Sequence, residues 1–165
     1  MGQQLVLAGS TLLALVVGVL VEPFKNGFAH KARLRQLRTE RCEELTAAAL
    51  AHVAARATAV IRASGFSDRY FESNDEEWLP KSVAELNNTL ANVQAVAAAI
   101  YLIGPDDLGS AAMDLSNASH GPEELDPTKF KIGQTEFDRI MMEYRVNFRE
   151  QLDEFVRVAR KHISK

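Results

Sequence analysis

Hydrophobic and polar positions alternate along this chain in three different ways. Residues 5–21 are apolar without any period, broken only by Gly9, Ser10, Thr11 and Gly18, and no charged side chain precedes Glu22. Residues 29–63 place Leu34, Leu37, Leu45, Ala49, Val53, Ala57 and Val60 at helical spacing, the pattern of an amphipathic helix. From residue 79 the pattern tightens: Leu79, Val83, Leu86, Leu90, Val93, Ala97 and Ile100 alternate steps of four and three. That is a heptad seam of the coiled-coil kind. Phe137, Met141, Tyr144, Phe148, Leu152, Phe155 and Ala159 draw a last apolar stripe before the C-terminus.

Turn signals divide these runs into elements. Pro23 and Gly27 punctuate the end of the first apolar run, and Ser64-Gly65 closes the second, since glycine readily takes the left-handed position after a helix. Gly104-Pro105 ends the heptad helix and opens a short one over about 105–119, with Leu108, Ala112 and Leu115 inward and Ser110, Asp114, Ser116 and Asn117 outward. Asp106 and Asp107 then sit in its first turn, where carboxylates suit the helix dipole. HGPEELDPTK is a break, and the last helix starts between Asp126 and Gln134 and runs to about Ile163. No run has the period of two that marks a strand. The expected fold is all-α: an N-terminal transmembrane helix, then an antiparallel bundle of three long helices and one short one. Its parts are an anchor (1–22), a basic juxtamembrane segment with the first bundle helix (23–63), an acidic aromatic connector (64–80) and the rest of the bundle (81–165).

The anchor reading rests on length. As a helix, residues 5–21 span ~26 Å at 1.5 Å per residue, close to the ~30 Å hydrocarbon core. A cleaved signal peptide would call for a basic start and a small-residue cleavage site, and VEPFKNGF has none. A buried core helix seldom runs so long without a charge. Lys25, Lys31, Arg33, Arg35, Arg38 and Arg41 follow the apolar run and no Lys or Arg precedes it. The positive-inside rule then puts the N-terminus outside and the C-terminal domain in the cytoplasm, in a single-pass cell-membrane arrangement. Lys25, Lys31, Arg33, Arg35 and Arg38 are candidate lipid-headgroup contacts. The simpler reading is that they only hold the flank in the cytoplasm. Ser10, Ala14 and Gly18 lie four apart on one face, the small-xxx-small spacing that lets membrane helices approach one another, though small residues are common in such helices for other reasons.

Charge adds an asymmetry. The net value is −3, but residues 1–63 hold eight Lys/Arg against four Asp/Glu, residues 64–128 two against twelve, and residues 129–165 nine against six. No basic face is interleaved with aromatics, so nucleic acid is not an expected partner. The acidic connector carries Tyr70, Phe71 and Trp78, a candidate partner-binding loop whose plainer role is to pin itself across the bundle. One cysteine, Cys42, excludes an intrachain disulfide. It reads as a small apolar residue on an inner helix face rather than a reactive or acylated thiol.

The polar residues form no catalytic or cofactor pattern. His30, His52, His120 and His162 are scattered, and neither position 48 (Ala) nor position 56 (Arg) gives His52 an i±4 metal-ligating partner. His52 therefore reads as a surface or half-buried structural residue. Glu-x-x-His pairs, a Gly-rich phosphate loop and a nucleophile elbow do not occur in the sequence. No catalytic residue, metal or cofactor is expected.

An uncharged apolar start, the basic RLRQLRTER run, an alanine-rich helix and AIYLIGPDDLGSAA before an aromatic-bearing last helix together resemble small single-pass membrane proteins of high-GC Gram-positive, actinobacterial type. The resemblance covers most of the chain, is carried by structural motifs, and implies no activity. This chain departs from it in the aromatic, acidic connector and the more polar last helix. The expectation is a membrane-tethered, non-catalytic interaction or scaffolding module whose partners are the bilayer and another protein or a second copy. The alternative is a sensor or small-ligand-binding bundle, which an extracytoplasmic placement would also suit. Such a bundle needs a cavity with a few polar groups.

Overall fold

The structure, a computed structural model, describes the backbone of residues 2–65 and 77–163, and side chains within those from residue 29 onward. It contains helix α1 (Gly2–Ser64), α2 (Trp78–Ile103), α3 (Asp106–His120), a 3-10 turn (Glu123–Leu125) and α4 (Gln134–Ile163). The chain forms two compact units, residues 1–37 and 38–165. The first is the N-terminal part of α1. The second is a four-helix bundle built from the rest of α1 with α2, α3 and α4.

Long-range hydrogen bonds give the bundle's topology. Arg38 Nε donates to the Ile103 carbonyl at 3.2 Å, and His52 Nδ1 lies 2.8 Å from Thr89 Oγ1. As α1 advances from 38 to 52, its partner on α2 retreats from 103 to 89, one residue for one, so the two helices are antiparallel in a single register. Between α3 and α4, Asp107 meets Lys161 at 2.9 Å while Ser119 meets Tyr144 at 2.7 Å, again antiparallel. The antiparallel bundle predicted from the sequence is the observed one.

Two clusters fill the interior. One joins Leu45 and Ala49 of α1, Val93 and Ile100 of α2, Leu108 and Leu115 of α3, and Phe148 and Phe155 of α4. The other, at the opposite end, joins Val60, Leu125, Phe137, Ile140, Met141 and Tyr144. Large rings from α4 face buried alanines such as Ala48, Ala49, Ala111 and Ala112, so short and long side chains interdigitate. The α2–α3 crossing is closer still: a Cβ on Gly109 would stand 3.1 Å from Tyr101 Cα. Two helical stretches, Ala29–Ser64 and Trp78–Ile103, are long and apolar enough to cross a membrane. Both also supply bundle core, which inner bundle helices do without any bilayer.

Three expectations need correction. Pro23 and Gly27 do not end a helix, since the backbone is helical from Gly2 to Ser64. Trp78 is the first residue of α2 rather than part of the connector. There it carries the Arg62 guanidinium 4.8 Å above its ring, a cation–π contact that joins two helix ends. Pro80 fits the same first turn because its missing N–H would be unpaired there anyway. Ser116 is buried rather than outward. The start of α4 at Gln134 falls within its predicted range, at the late end. Asp126 does not cap that helix. Its Oδ1 accepts from the Thr128 N–H at 2.8 Å and from the Thr128 hydroxyl at 2.6 Å, closing a local turn.

Cys42 is 5% exposed, and burial pushes its thiol up to about 11 against a smaller pull from Arg38. At pH 8 only about one molecule in a thousand then carries the thiolate, which is the reactive form. Alkylation by iodoacetamide at pH 8 is expected to be at least about a hundredfold slower in the folded protein than in denaturant. Equal rates, followed by mass spectrometry, would show that this helix face opens freely.

Candidate functional site

The α1 seam that enters the core is Cys42, Leu45, Ala49, His52, Arg56 and Ala59, with steps alternating three and four. Two polar side chains therefore occupy positions that heptad geometry reserves for core. His52 is 1% exposed and Arg56 8%.

Thr89 Oγ1 ties His52 Nδ1 to α2 and also lies within hydrogen-bond distance of the backbone carbonyls of Glu85 (2.9 Å) and Leu86 (3.1 Å). His52 Nε2 is buried without a hydrogen-bond partner. Burial first, then the positive Arg56 and His120, push the imidazole down to about 4, so it is neutral at physiological pH.

Arg56 is a buried cation. One terminal nitrogen, Nη2, donates to the Pro122 carbonyl at 2.7 Å, while Nε has no hydrogen-bond partner. Burial pulls its pKa down, and Tyr144 and Asp126 pull the other way. A guanidinium nevertheless keeps its charge. Gly121 makes its position possible: with φ 70° and ψ 175° it occupies a region essentially closed to other residues. A Cβ there would come 2.9 Å from Tyr144 Cε2 and 3.1 Å from Arg56 Nε. Tyr144 is fixed in turn by donating its hydroxyl to the Ser119 carbonyl at 2.7 Å.

His52, Arg56 and Gly121 line a half-open cleft of about 500 Å³. Val83, Leu86 and Leu90 of α2 give an apolar wall, and Asn87 and His120 add polar groups. Along the rim one lysine serves two carboxylates: Lys129 Nζ lies 2.8 Å from Glu123 Oε1 and 4.0 Å from Asp126 Oδ2, and Asp126 also acts on Arg56 through its charge. The hydrogen bond from Lys129 holds the Glu123 carboxyl below its usual range. Among the described residues there is no group of three or more His, Cys, Asp or Glu placed to hold a metal ion. The cleft thus offers one buried cation, one buried neutral imidazole and an apolar wall, which suits binding a small polar molecule.

The sequence-predicted site residues lie elsewhere. Lys31, Arg33 and Arg35 are exposed, whereas Arg38 is half-buried and caps the end of α2 through the Ile103 carbonyl. The side chains of Ser10, Ala14, Gly18 and Lys25 lie outside the described residues, as do Tyr70 and Phe71. The apolar stripe expected from the sequence runs through Val53, Ala57 and Val60; Val60 is buried and Val53 and Ala57 pack half-buried against the core, but that stripe passes over the neighbouring His52 and Arg56. A strict three-four count from Leu45 and Ala49 finds both. No protein-family model, curated protein or solved structure matches this chain.

Proposed function

We propose that this chain is a membrane-tethered, non-catalytic helical module that binds a small polar ligand in the cleft between α1, α2 and the α3–α4 connection. One observation carries the reading: two buried polar side chains, His52 and Arg56, line one cleft together with the apolar residues Val83, Leu86 and Leu90. A few polar groups beside an apolar wall are what a small-ligand site provides. The uncharged N-terminal run and the basic flank behind it support a single-pass anchor with the bundle on the cytoplasmic side, of the actinobacterial type the sequence resembles. Lys31 and Arg33, both exposed, are flank residues that anionic headgroups would meet.

The test uses the full chain in lipid nanodiscs and a mixed set of small acids, bases and neutral polar molecules, read by ligand-observed NMR. Binding that disappears in Leu90→Trp, which fills the cleft, is the expected result. A set that binds both proteins equally, or neither, would overturn the reading. Topology has its own assay. A C-terminal fusion is expected to fluoresce as a cytoplasm-only reporter and to stay silent as a periplasm-only enzyme, and the reverse would move the bundle outside.

A second reading has its own support. Met142 (70% exposed) and Val146 (50%) stand one turn apart on α4 beside Arg139 and Glu143, an apolar spot that a partner protein or second copy could cover. Under that reading Met142→Asp with Val146→Asp abolishes association in membranes and leaves the cleft untouched.

A further inference from the structure

We infer that two copies of this chain pair along α4, parallel and in register, with Met142 and Val146 of each packed against the same residues of the other. The inference rests on the second reading above, names the partner, and is independent of the cleft. The outer face of α4 carries a heptad pattern of its own. Met142 and Val146 are exposed, and Arg139 and Arg149, also exposed, continue their steps of three and four on either side. In a parallel pair each such residue is a knob that enters a hole of four residues on the facing helix. For Met142 that hole consists of Arg139, Met142, Glu143 and Val146 of the other copy. These same four line a shallow groove of about 400 Å³ on the outer face of α4, together with Asn147 and Glu150. The surface thus already holds the recess that the pairing requires.

Charge selects a second copy and sets its direction. One flank of the face carries Glu136, Glu143 and Glu150, and the other carries Arg145, all of them exposed. In a parallel pair related by a twofold axis, the acidic flank of each copy lies beside the basic flank of the other. Arg145 then meets Glu150 of the other copy, twice by symmetry. An antiparallel pair would bring glutamate against glutamate and Arg139 against Arg149. Arg139 is engaged with Glu136 and Glu143 of its own helix, whereas among the described residues Arg145 and Glu150 enter no ion pair. Asp138 comes near Glu143 of the other copy, a like-charged approach that the Arg139 bound to Glu143 offsets. The apolar part of the contact is small, too small for a stable dimer free in solution. The anchor proposed above supplies the rest, since it concentrates the copies in one membrane and holds them the same way up.

The experiment uses full-length protein carrying Cys42→Ala, reconstituted sparsely into liposomes and oxidised with copper phenanthroline. Val146→Cys and Arg149→Cys are each expected to give a disulfide-linked dimer on non-reducing gels. Ser110→Cys, exposed on α3, should stay monomeric. Arg149 fixes the direction: in an antiparallel pair centred between Met142 and Val146 it would stand about 15 Å along the axis from its counterpart, at 1.5 Å per residue, out of disulfide reach. Energy transfer between labelled copies in the same liposomes reads affinity. Arg145→Glu is expected to weaken association about three- to tenfold, because two attractive pairs become repulsive, and adding Glu150→Arg should restore it. These are surface changes, and circular dichroism checks that each variant keeps its helices. Linking at Val146 without linking at Arg149, an Arg145→Glu variant that associates unchanged, or a double variant that fails to recover would overturn the parallel pairing. Equal linking at Val146 and Ser110 would mark random collision and overturn the pairing altogether. If no variant links to itself while Met142→Asp with Val146→Asp still removes a partner from membranes, the second reading stands and the second copy is excluded.

Discussion

Cutting Phe155 back to alanine is expected to cost the bundle about 3–5 kcal/mol of unfolding free energy. Its ring is 1% exposed and is the largest of the fully buried side chains. It belongs to the cluster that joins all four helices, with Leu45, Ala49, Ile100 and Leu108. Its surroundings make the loss severe. Ala48, Ala49, Ala111, Ala112 and Ala159 have no rotamers with which to refill the space, so the cavity persists and its lining loses dispersion contacts. Chemical denaturation of the full chain in mild detergent, followed by helical circular dichroism, measures the change. Such a loss is a large part of a typical domain's 5–15 kcal/mol, so Phe155→Leu serves as the milder companion. A change below about 1 kcal/mol for the alanine variant would mean that this end of the core is loosely packed.

Mild acid is expected to weaken the bundle through His52, starting above the range in which ordinary carboxylates titrate. The folded imidazole sits at about 4, and in the unfolded chain it returns to about 6.5. Between those values the unfolded state takes up a proton that the folded state refuses. Stability therefore holds above pH 6.5 and falls as pH drops toward 4, by about 2–3 kcal/mol in all. Asp107 acts in a different window. Hydrogen bonds from Lys161 and His162 hold its carboxyl well below the usual range, so its contribution is lost only at lower pH. Melting temperature measured from pH 7.5 to 4 should slope downward in the native chain and flatten in His52→Gln. A slope that survives the substitution would place the titrating group elsewhere.

Much of this architecture can be read from apolar spacing. The α2 seam and the α4 stripe point inward as their periods require, because long uninterrupted patterns on proline-poor helices leave only one face to bury. α1 was harder. Its buried face is wider than the apolar stripe: it takes in His52 and Arg56 beside Val53, Ala57 and Val60, and their polarity argues for the outside. The partners that make those residues acceptable inside are Thr89, Pro122 and Gly121, which lie 37 to 66 positions away and are invisible to any local pattern. Pro23 misled in the other direction. A proline removes a single helical hydrogen bond, and α1 continues through it. The cleft was not legible at all, since it arises where the α3–α4 connection folds over α1 and α2.

The one-for-one pairing of α1 with α2 has a further consequence. Two alanine-rich seams are nearly alike from heptad to heptad, and such surfaces can slip past each other by seven residues with little change in packing. Here a slip would set His52 opposite Val96 or Ser82 instead of Thr89. It would also draw Arg56 away from the Pro122 carbonyl. The valine alignment would strand an imidazole in hydrocarbon, and either alignment would leave a guanidinium without its carbonyl. The two polar side chains thus act as a latch on alignment, penalising every neighbouring arrangement and leaving the helices one way to close.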